Sequence, residues 1–251
     1  MFKNFMLYLV LLAPVYSAST QDFGKVFVAT GVGLNVPLGE MRSKDFSKPG
    51  GVADQGYKFD LISLGYQFEN GFGLGIKTTT SFYHVNNTLI EDFILSEGAE
   101  QSHADVKSWK YSEFLFLGSK SLFQTEKQLI NVSIGAGPAL VVKPKEYYEG
   151  TYFDGSKDYS WTYDKHKSLT ISSNLGLNYW IKIVDNFCLS ASVDYSFIPF
   201  SMPYSSTTEN AKRAITTDGE EVAGFEFASE TSPKHYSIHG LSTVLKLGFS
   251  F

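Results

Sequence analysis

The last eleven residues of the chain, 241–251, follow a strict alternation that strongly limits how they fold. Counting back from Phe251, every second residue is apolar or threonine, and those between are small or polar except Val244. Successive side chains of a β-strand point to opposite faces, so a strand with one apolar and one mostly polar face is predicted. An exposed apolar face of this kind suits a barrel wall in a lipid bilayer better than a soluble domain.

Seven further segments alternate apolar residues with Gly, Ser, Thr or Asn. Their approximate bounds are 25–36, 57–68, 72–84, 109–123, 128–142, 168–183 and 187–197, and the last strand begins near residue 236. Segment 109–123 is the least regular, because Phe114 and Phe116 oppose Leu115 and Leu117 and neither face is clearly the apolar one. The pattern therefore predicts eight strands and leaves the phase of the fourth open.

The connections between these segments alternate in length. Three are short, at 69–71, 124–127 and 184–186, and the first contains Asn70-Gly71, a strong hairpin signal. Four are long, at 37–56, 85–108, 143–167 and 198–235. Short periplasmic turns and long extracellular loops are typical of bacterial outer-membrane barrels, and an even strand number places both mature termini in the periplasm.

The sequence therefore predicts an all-β fold: a closed antiparallel up-and-down transmembrane β-barrel of eight strands. The chain has 21 Phe and 15 Tyr, many near predicted strand ends, where barrels carry aromatic belts. A single cysteine, Cys188, excludes an intramolecular disulfide, and a net charge of −5 argues against nucleic acid as a partner. A soluble β-sandwich with an aromatic core is the alternative, but it does not explain the alternation of turns and loops.

Residues 1–19 are predicted to be a secretory signal peptide, which leaves 20–251 as the barrel domain. Lys3 supplies the positive start, residues 5–15 form an apolar run of about eleven, and small residues follow at 17–19. An N-terminal membrane anchor is the alternative, but that run is shorter than the roughly 20 residues that a spanning helix needs.

Over nearly its whole mature length the chain resembles the eight-stranded bacterial outer-membrane barrels, which include the OmpA transmembrane domain and the opacity-type and rickettsial-type surface antigens. The chain end also resembles the signal by which such proteins are recognised for insertion, here Leu245, Leu247, Gly248, Phe249 and Phe251. The resemblance implies an outer-membrane location among lipid and lipopolysaccharide. It also implies barrel-assembly machinery and periplasmic chaperones as partners during biogenesis.

The predicted inward face is rich in Gly and Ser and carries three charges, Lys77, Asp194 and Lys246, with Glu113 as a possible fourth. The interior of an eight-stranded barrel holds little more than its own side chains. Isolated buried charges are very costly, so these groups are expected to pair in a lumen polar network. That favours a plugged lumen, with a narrow channel for small or apolar solutes as the alternative.

The third long loop is rich in aromatic residues. They are Tyr147, Tyr148, Tyr152, Phe153, Tyr159, Trp161 and Tyr163. Exposed Tyr and Trp are favoured binding residues, so this loop is a candidate binding surface for a host or other surface ligand. The alternative is that these rings pad strand ends that extend above the membrane.

The expected function is that of a non-enzymatic surface protein acting in adhesion, antigenic display or envelope integrity. No catalytic, cofactor-binding or metal-binding residues are predicted. His235 and Ser237 resemble the catalytic His-x-Ser of eight-stranded outer-membrane lipopolysaccharide deacylases, but Ile238 stands where that family has Asn. A lipid A-modifying enzyme is therefore a second alternative, after the narrow channel.

Overall fold

The structure is a computed structural model, and it describes residues 25–44, 52–152, 157–163, 165–184, 186–202, 208–215, 221–222, 226–227 and 234–251. The predicted signal peptide, residues 1–19, lies outside these ranges. The elements run in the order β1 (Val26–Leu38), a 3₁₀ helix (Gly39–Arg42), β2 (Ala53–Gln67), β3 (Phe72–Val85), α1 (Asn87–Ser96), β4 (Ala99–Val106), β5 (Trp109–Gln124), β6 (Gln128–Lys143), β7 (Glu146–Tyr152), β8 (Lys157–Tyr163), β9 (His166–Val184), β10 (Phe187–Met202), β11 (Thr208–Ile215), β12 (Glu221–Val222), β13 (Glu226–Phe227) and β14 (Lys234–Ser250).

Eight of these strands close into a barrel in the order β1-β14-β10-β9-β6-β5-β3-β2, and every neighbouring pair is antiparallel. The first strand pairs with the last along nearly its whole length, from Phe27 opposite Ser250 to Leu38 opposite His239. The Lys25 N–H donates to the Phe251 carbonyl at 2.6 Å, so the two ends of the wall lie side by side. The predicted all-β, eight-stranded up-and-down barrel is confirmed.

The wall of the barrel is apolar outside and mostly polar inside. On β14, Leu245 and Leu247 are exposed, whereas Ser242 and Lys246 are buried. The phase of β5 is now settled, because Leu115 is fully buried in the lumen and Phe116 faces outward. The opposite phase would place Glu113, which lies on the same face as Leu115, against lipid.

A β-bulge in β2 reverses the faces of that strand half-way along. The pairing of β2 with β3 shifts between Asp60 and Ile62, and both Leu61 and Ile62 are exposed, at 54% and 46%. A bulge adds one residue to one strand, so two consecutive side chains share a face. As a result Lys58 and Asp60 point into the lumen, although Ile62 and Leu64 after the bulge point outward.

Three of the four long loops are joined into a second sheet beyond the barrel, here called the outer sheet, with strand order β12-β11-β8-β7-β4 and β13 beside β11. Strand β4 of the second loop pairs with β7 of the third, and β8 of the third pairs with β11 of the fourth. Backbone hydrogen bonds between loops fix their relative positions in a way that separate flexible loops would not.

Helix α1 covers the free edge of β4. The Ala104 N–H donates to Glu91 Oε1 at 3.0 Å, and the Val106 N–H donates to Asn87 Oδ1 at 3.2 Å. These side chains satisfy edge groups that would otherwise be open to pairing with another chain. The helix starts at a capped end, where Asn86 accepts from the Leu89 N–H. Among the described residues, no helix is long and apolar enough to cross a membrane.

Candidate functional site

Five buried charged side chains form a continuous series inside the barrel, here called the lumen ion chain: Lys246, Asp60, Lys77, Asp194 and Lys58. Asp60 Oδ2 lies 3.1 Å from the Lys246 ammonium and 3.4 Å from that of Lys77. Asp194 Oδ2 lies 2.9 Å from the Lys77 ammonium and 3.6 Å from that of Lys58. Positive and negative groups therefore alternate along the series, and none of the five side chains is more than 4% exposed.

The structure places all three residues of the predicted lumen network in this series. Lys77 and Asp194 contact each other directly, whereas Lys246 joins through Asp60. Asp60 and Lys58 were not predicted, because the bulge places them on the face opposite to the one that unbroken alternation implies. The available signal was the adjacent apolar pair Leu61-Ile62, which alternation cannot accommodate without a shift.

Neutral hydrogen-bonding groups surround the lumen ion chain. The Lys58 ammonium donates to Ser242 Oγ at 3.1 Å, and that of Lys246 donates to Asn178 Oδ1 at 3.4 Å. Glu113 is also inside, 2% exposed, and its Oε2 accepts from Thr79 Oγ1 at 3.1 Å. Three lysines thus share the interior with Asp60, Asp194 and Glu113, so the charges balance.

Apolar layers of buried side chains lie near both ends of the lumen. The layer at the long-loop end includes Trp109, Phe200 and Ile238 from the wall and Met41 from the 3₁₀ helix of the first loop, all buried. At the short-turn end, Phe27, Leu129, Trp180 and Cys188 form the opposite layer, also buried. A cavity of about 80 Å³ lined partly by Lys77, Lys246 and Trp180 lies beside the ion chain, with room for a few water molecules.

We expect the purified, folded barrel to show no steady openings in a planar bilayer. A continuous water path would have to cross the ion chain and both apolar layers, and an eight-stranded lumen has no spare width. Single-channel conductance measures this directly, with heat-modifiable migration on gels as proof of folding. Steady openings that change on Lys77→Ala would contradict the prediction and restore the channel alternative.

The structure describes the predicted binding loop only in part. Tyr147 is half-buried, and its hydroxyl donates to Glu149 Oε2 at 2.8 Å. Phe153 lies outside the described residues, and Tyr152, Tyr159, Trp161 and Tyr163 are placed as backbone of β7 and β8. The expectation is wrong for Tyr148. That ring is only 5% exposed and packs with Ile90 and Ile94 of α1, because it lies on the buried face of β7.

The residues of the predicted insertion signal lie on the last strand and just after it. Leu245, Leu247, Phe249 and Phe251 are exposed on the outer wall, at 67%, 53%, 49% and 61%. Gly248 is buried on the inner face opposite Ala29. The four outward side chains thus present one continuous apolar strip.

The fold and its surfaces define a transmembrane β-barrel of the outer-membrane type. Its outer wall is apolar, its interior carries a buried polar network, and exposed aromatic rings surround the short-turn end. These rings include Tyr66, Phe72, Phe123, Tyr179 and Phe249. The fold predicted from the resemblance to eight-stranded outer-membrane barrels is therefore present.

No protein-family model matches the sequence, and neither does any curated protein. Among solved structures, the chain is similar to the Neisserial surface protein NspA, with a TM-score of 0.41, 11% identity, and coverage of 90% of this chain and 97% of that one. The chain is also similar to the attachment invasion locus protein Ail of Yersinia pestis, with a TM-score of 0.40, 12% identity, and coverage of 90% of this chain and 99% of that one. A third similar structure is the outer-membrane protease OmpT of Escherichia coli, with a TM-score of 0.39, 9% identity, and coverage of 94% of this chain and 99% of that one.

The last of these matches corrects the expectation that the chain is not an enzyme. OmpT is named as a protease, so outer-membrane barrels similar in fold to this chain include enzymes. The absence of a catalytic role does not follow from the architecture.

Proposed function

We propose that this chain is an outer-membrane surface protein whose outer sheet binds ligands outside the cell, in adhesion or surface display. The long loops face the exterior, and both mature termini and the short turns face the periplasm. A cleaved leader at residues 1–19 would deliver the chain to that compartment. Membrane lipid and lipopolysaccharide would surround the apolar wall, and assembly factors would meet the C-terminal strand during insertion.

The joining of three loops into one sheet supports this proposal most strongly. Closing a hairpin needs only a few residues, yet the second, third and fourth loops pair with each other over β4, β7, β8 and β11. The second loop also has its own apolar core of α1 and β4 beneath Tyr148. A pre-ordered surface loses less conformational entropy on binding than free loops would lose.

The occupied lumen argues against transport as the main role. The two apolar layers and the lumen ion chain place apolar and ion-paired side chains across the interior, which suits a rigid support for the outer sheet. A contribution to envelope integrity is also compatible with such a barrel. If that were the whole function, altering the outer sheet would cause no loss of ligand binding.

Replacing residues 146–163 with a short Gly-Ser turn is expected to abolish binding of the purified protein to host or bacterial cell surfaces. The change removes β7 and β8, through which β4 and β11 are connected. Binding of labelled protein in detergent or nanodiscs measures the effect, and heat-modifiable migration checks that the barrel is intact. The matched control inserts the same Gly-Ser segment between Asn70 and Gly71, at the opposite end. Equal binding by the two variants would overturn the proposal.

A further inference from the structure

Three polar side chains meet on the lipid-facing side of β10 and β14. Ser237 Oγ lies 3.0 Å from His239 Nε2, and Tyr195 Oη lies 2.6 Å from His239 Nδ1. The Phe197 ring lies beside the imidazole, with centroids 4.9 Å apart. An activated serine nucleophile consists of three parts: the serine hydroxyl, an imidazole that bonds it through one ring nitrogen, and a third group that bonds the other ring nitrogen.

These residues differ from the pair that the sequence pattern singled out. His235 does not meet Ser237, since its Nδ1 lies 2.7 Å from Ser201 Oγ on the neighbouring strand. Ser237 instead bonds His239, two residues further along β14 in the opposite direction. Within the described part of the chain, Ser201 is the one side chain that bonds the His235 imidazole, so the His235–Ser201 pair provides a natural comparison for the first pair.

The height of the site on the barrel points to its substrate. Phe249 belongs to the belt of aromatic residues at the short-turn end, and His239 lies ten residues away on the same strand. At about 3.3 Å per residue and a tilt of about 40°, that separation is roughly 25 Å along the barrel axis. This equals the height of the apolar band of such barrels. His239 therefore lies at the far membrane interface, where acyl chains meet headgroups.

We propose that Ser237 and His239 form a hydrolytic site for acyl esters of lipids in the outer leaflet, with Tyr195 as a positioning residue. The outward direction suits a substrate that arrives laterally in the membrane, and the interface supplies water. The mechanism uses the His239 tautomer in which Nδ1–H donates to Tyr195 Oη, so that the Nε2 lone pair faces Ser237.

The reaction balances with water as the only co-reactant. Ser237 Oγ attacks the ester carbonyl carbon while His239 Nε2 takes the hydroxyl proton. The ester C–O bond then breaks, and the leaving alcohol receives that proton from the imidazole. Water attacks the acyl-serine with His239 again acting as base, and it releases a fatty acid and restores the Ser237 hydroxyl.

The test uses the folded chain in phospholipid vesicles that contain a fluorogenic acyl ester, together with a lipid-soluble fluorophosphonate that labels activated serines. Wild type is expected to release fatty acid and to be labelled at Ser237. Ser237→Ala should lose both signals, and His239→Ala should reduce the rate by about 10²–10⁴-fold. The matched control, Ser201→Ala, should keep both, since it alters the neighbouring Ser–His pair alone.

The Tyr195→Phe variant tests whether Tyr195 positions His239 for the reaction or has a structural role only. Loss of the phenolic oxygen should lower the turnover rate and alter its pH profile, while KM for the lipid ester stays unchanged. The proposal is overturned if folded wild type neither hydrolyses the ester nor reacts with the fluorophosphonate. It is also overturned if Ser201→Ala and Ser237→Ala lose activity equally. Replacement of residues 146–163 should leave hydrolysis intact, so this activity and ligand binding by the outer sheet can fail independently.

Discussion

Deletion of Leu61 is expected to straighten β2 and to leave the barrel folded with Lys58 and Asp60 still inside. Leu61 is the residue that the bulge adds between Asp60 and Ile62, so the shortened strand alternates without interruption and its pairing with β3 becomes regular. A register in which Lys58 and Asp60 faced lipid instead would cost about 2–4 kcal/mol for the lysine near the bilayer midplane, and somewhat less for the acid. It would also remove the partners of Lys77 and Lys246 from the lumen.

Folding into vesicles, followed by heat-modifiable migration and protease resistance, measures this effect. The matched control is Leu61→Val, which keeps the residue count and the apolar side chain and should fold like wild type. A deletion variant that fails to fold would contradict the prediction. It would mean that the barrel needs the bulge itself, and not only the inward direction of Lys58 and Asp60.

Asp194→Ala is expected to produce the largest loss of stability among single substitutions in the lumen. Its carboxylate is 1% exposed and lies close to the ammonium groups of Lys77 and Lys58. Removing one partner of a buried ion pair leaves an uncompensated charge and typically costs about 3–5 kcal/mol. The free energy of unfolding in urea, measured by tryptophan fluorescence in vesicles, checks the value.

A paired replacement distinguishes the cost of an unpaired charge from the value of the ion pair itself. Lys58→Met combined with Asp194→Leu removes one charge of each sign, leaves Lys77 and Lys246 paired with Asp60, and should cost much less than Asp194→Ala alone. Glu69→Ala serves as the surface control, since the pair of Lys25 with Glu69 is exposed and contributes at most about 1 kcal/mol. If Asp194→Ala costs no more than Glu69→Ala, the lumen ion chain does not stabilise the barrel.

The fold itself could be predicted from local pattern. Each barrel strand buries one face and exposes the other, so period-two alternation appears directly in the residues, as from Leu241 to Phe251. Turn chemistry at Asn70-Gly71 and the alternation of short and long connections then give the topology. The observed strands β1 and β14 agree with their predicted bounds to within two residues.

The lumen could be predicted only where the alternation is unbroken. Lys77, Asp194 and Lys246 lie on regular strands, so their inward direction follows from the rule that every second side chain points to the same face. Lys58 and Asp60 lie before a bulge, and a one-residue shift reverses every side chain that precedes it. A bulge depends on how the neighbouring strands pair, which a single strand's sequence does not specify.

The sequence alone determined that this chain forms an eight-stranded barrel, because alternation and turn residues act over short distances. Tertiary structure alone decided the rest. It buried Tyr148 under α1, joined three loops into the outer sheet, and brought Ser237 and His239 to Tyr195 across two strands. Those contacts join residues that are distant in sequence or depend on strand register, and the local residue pattern carries no signal for such pairings.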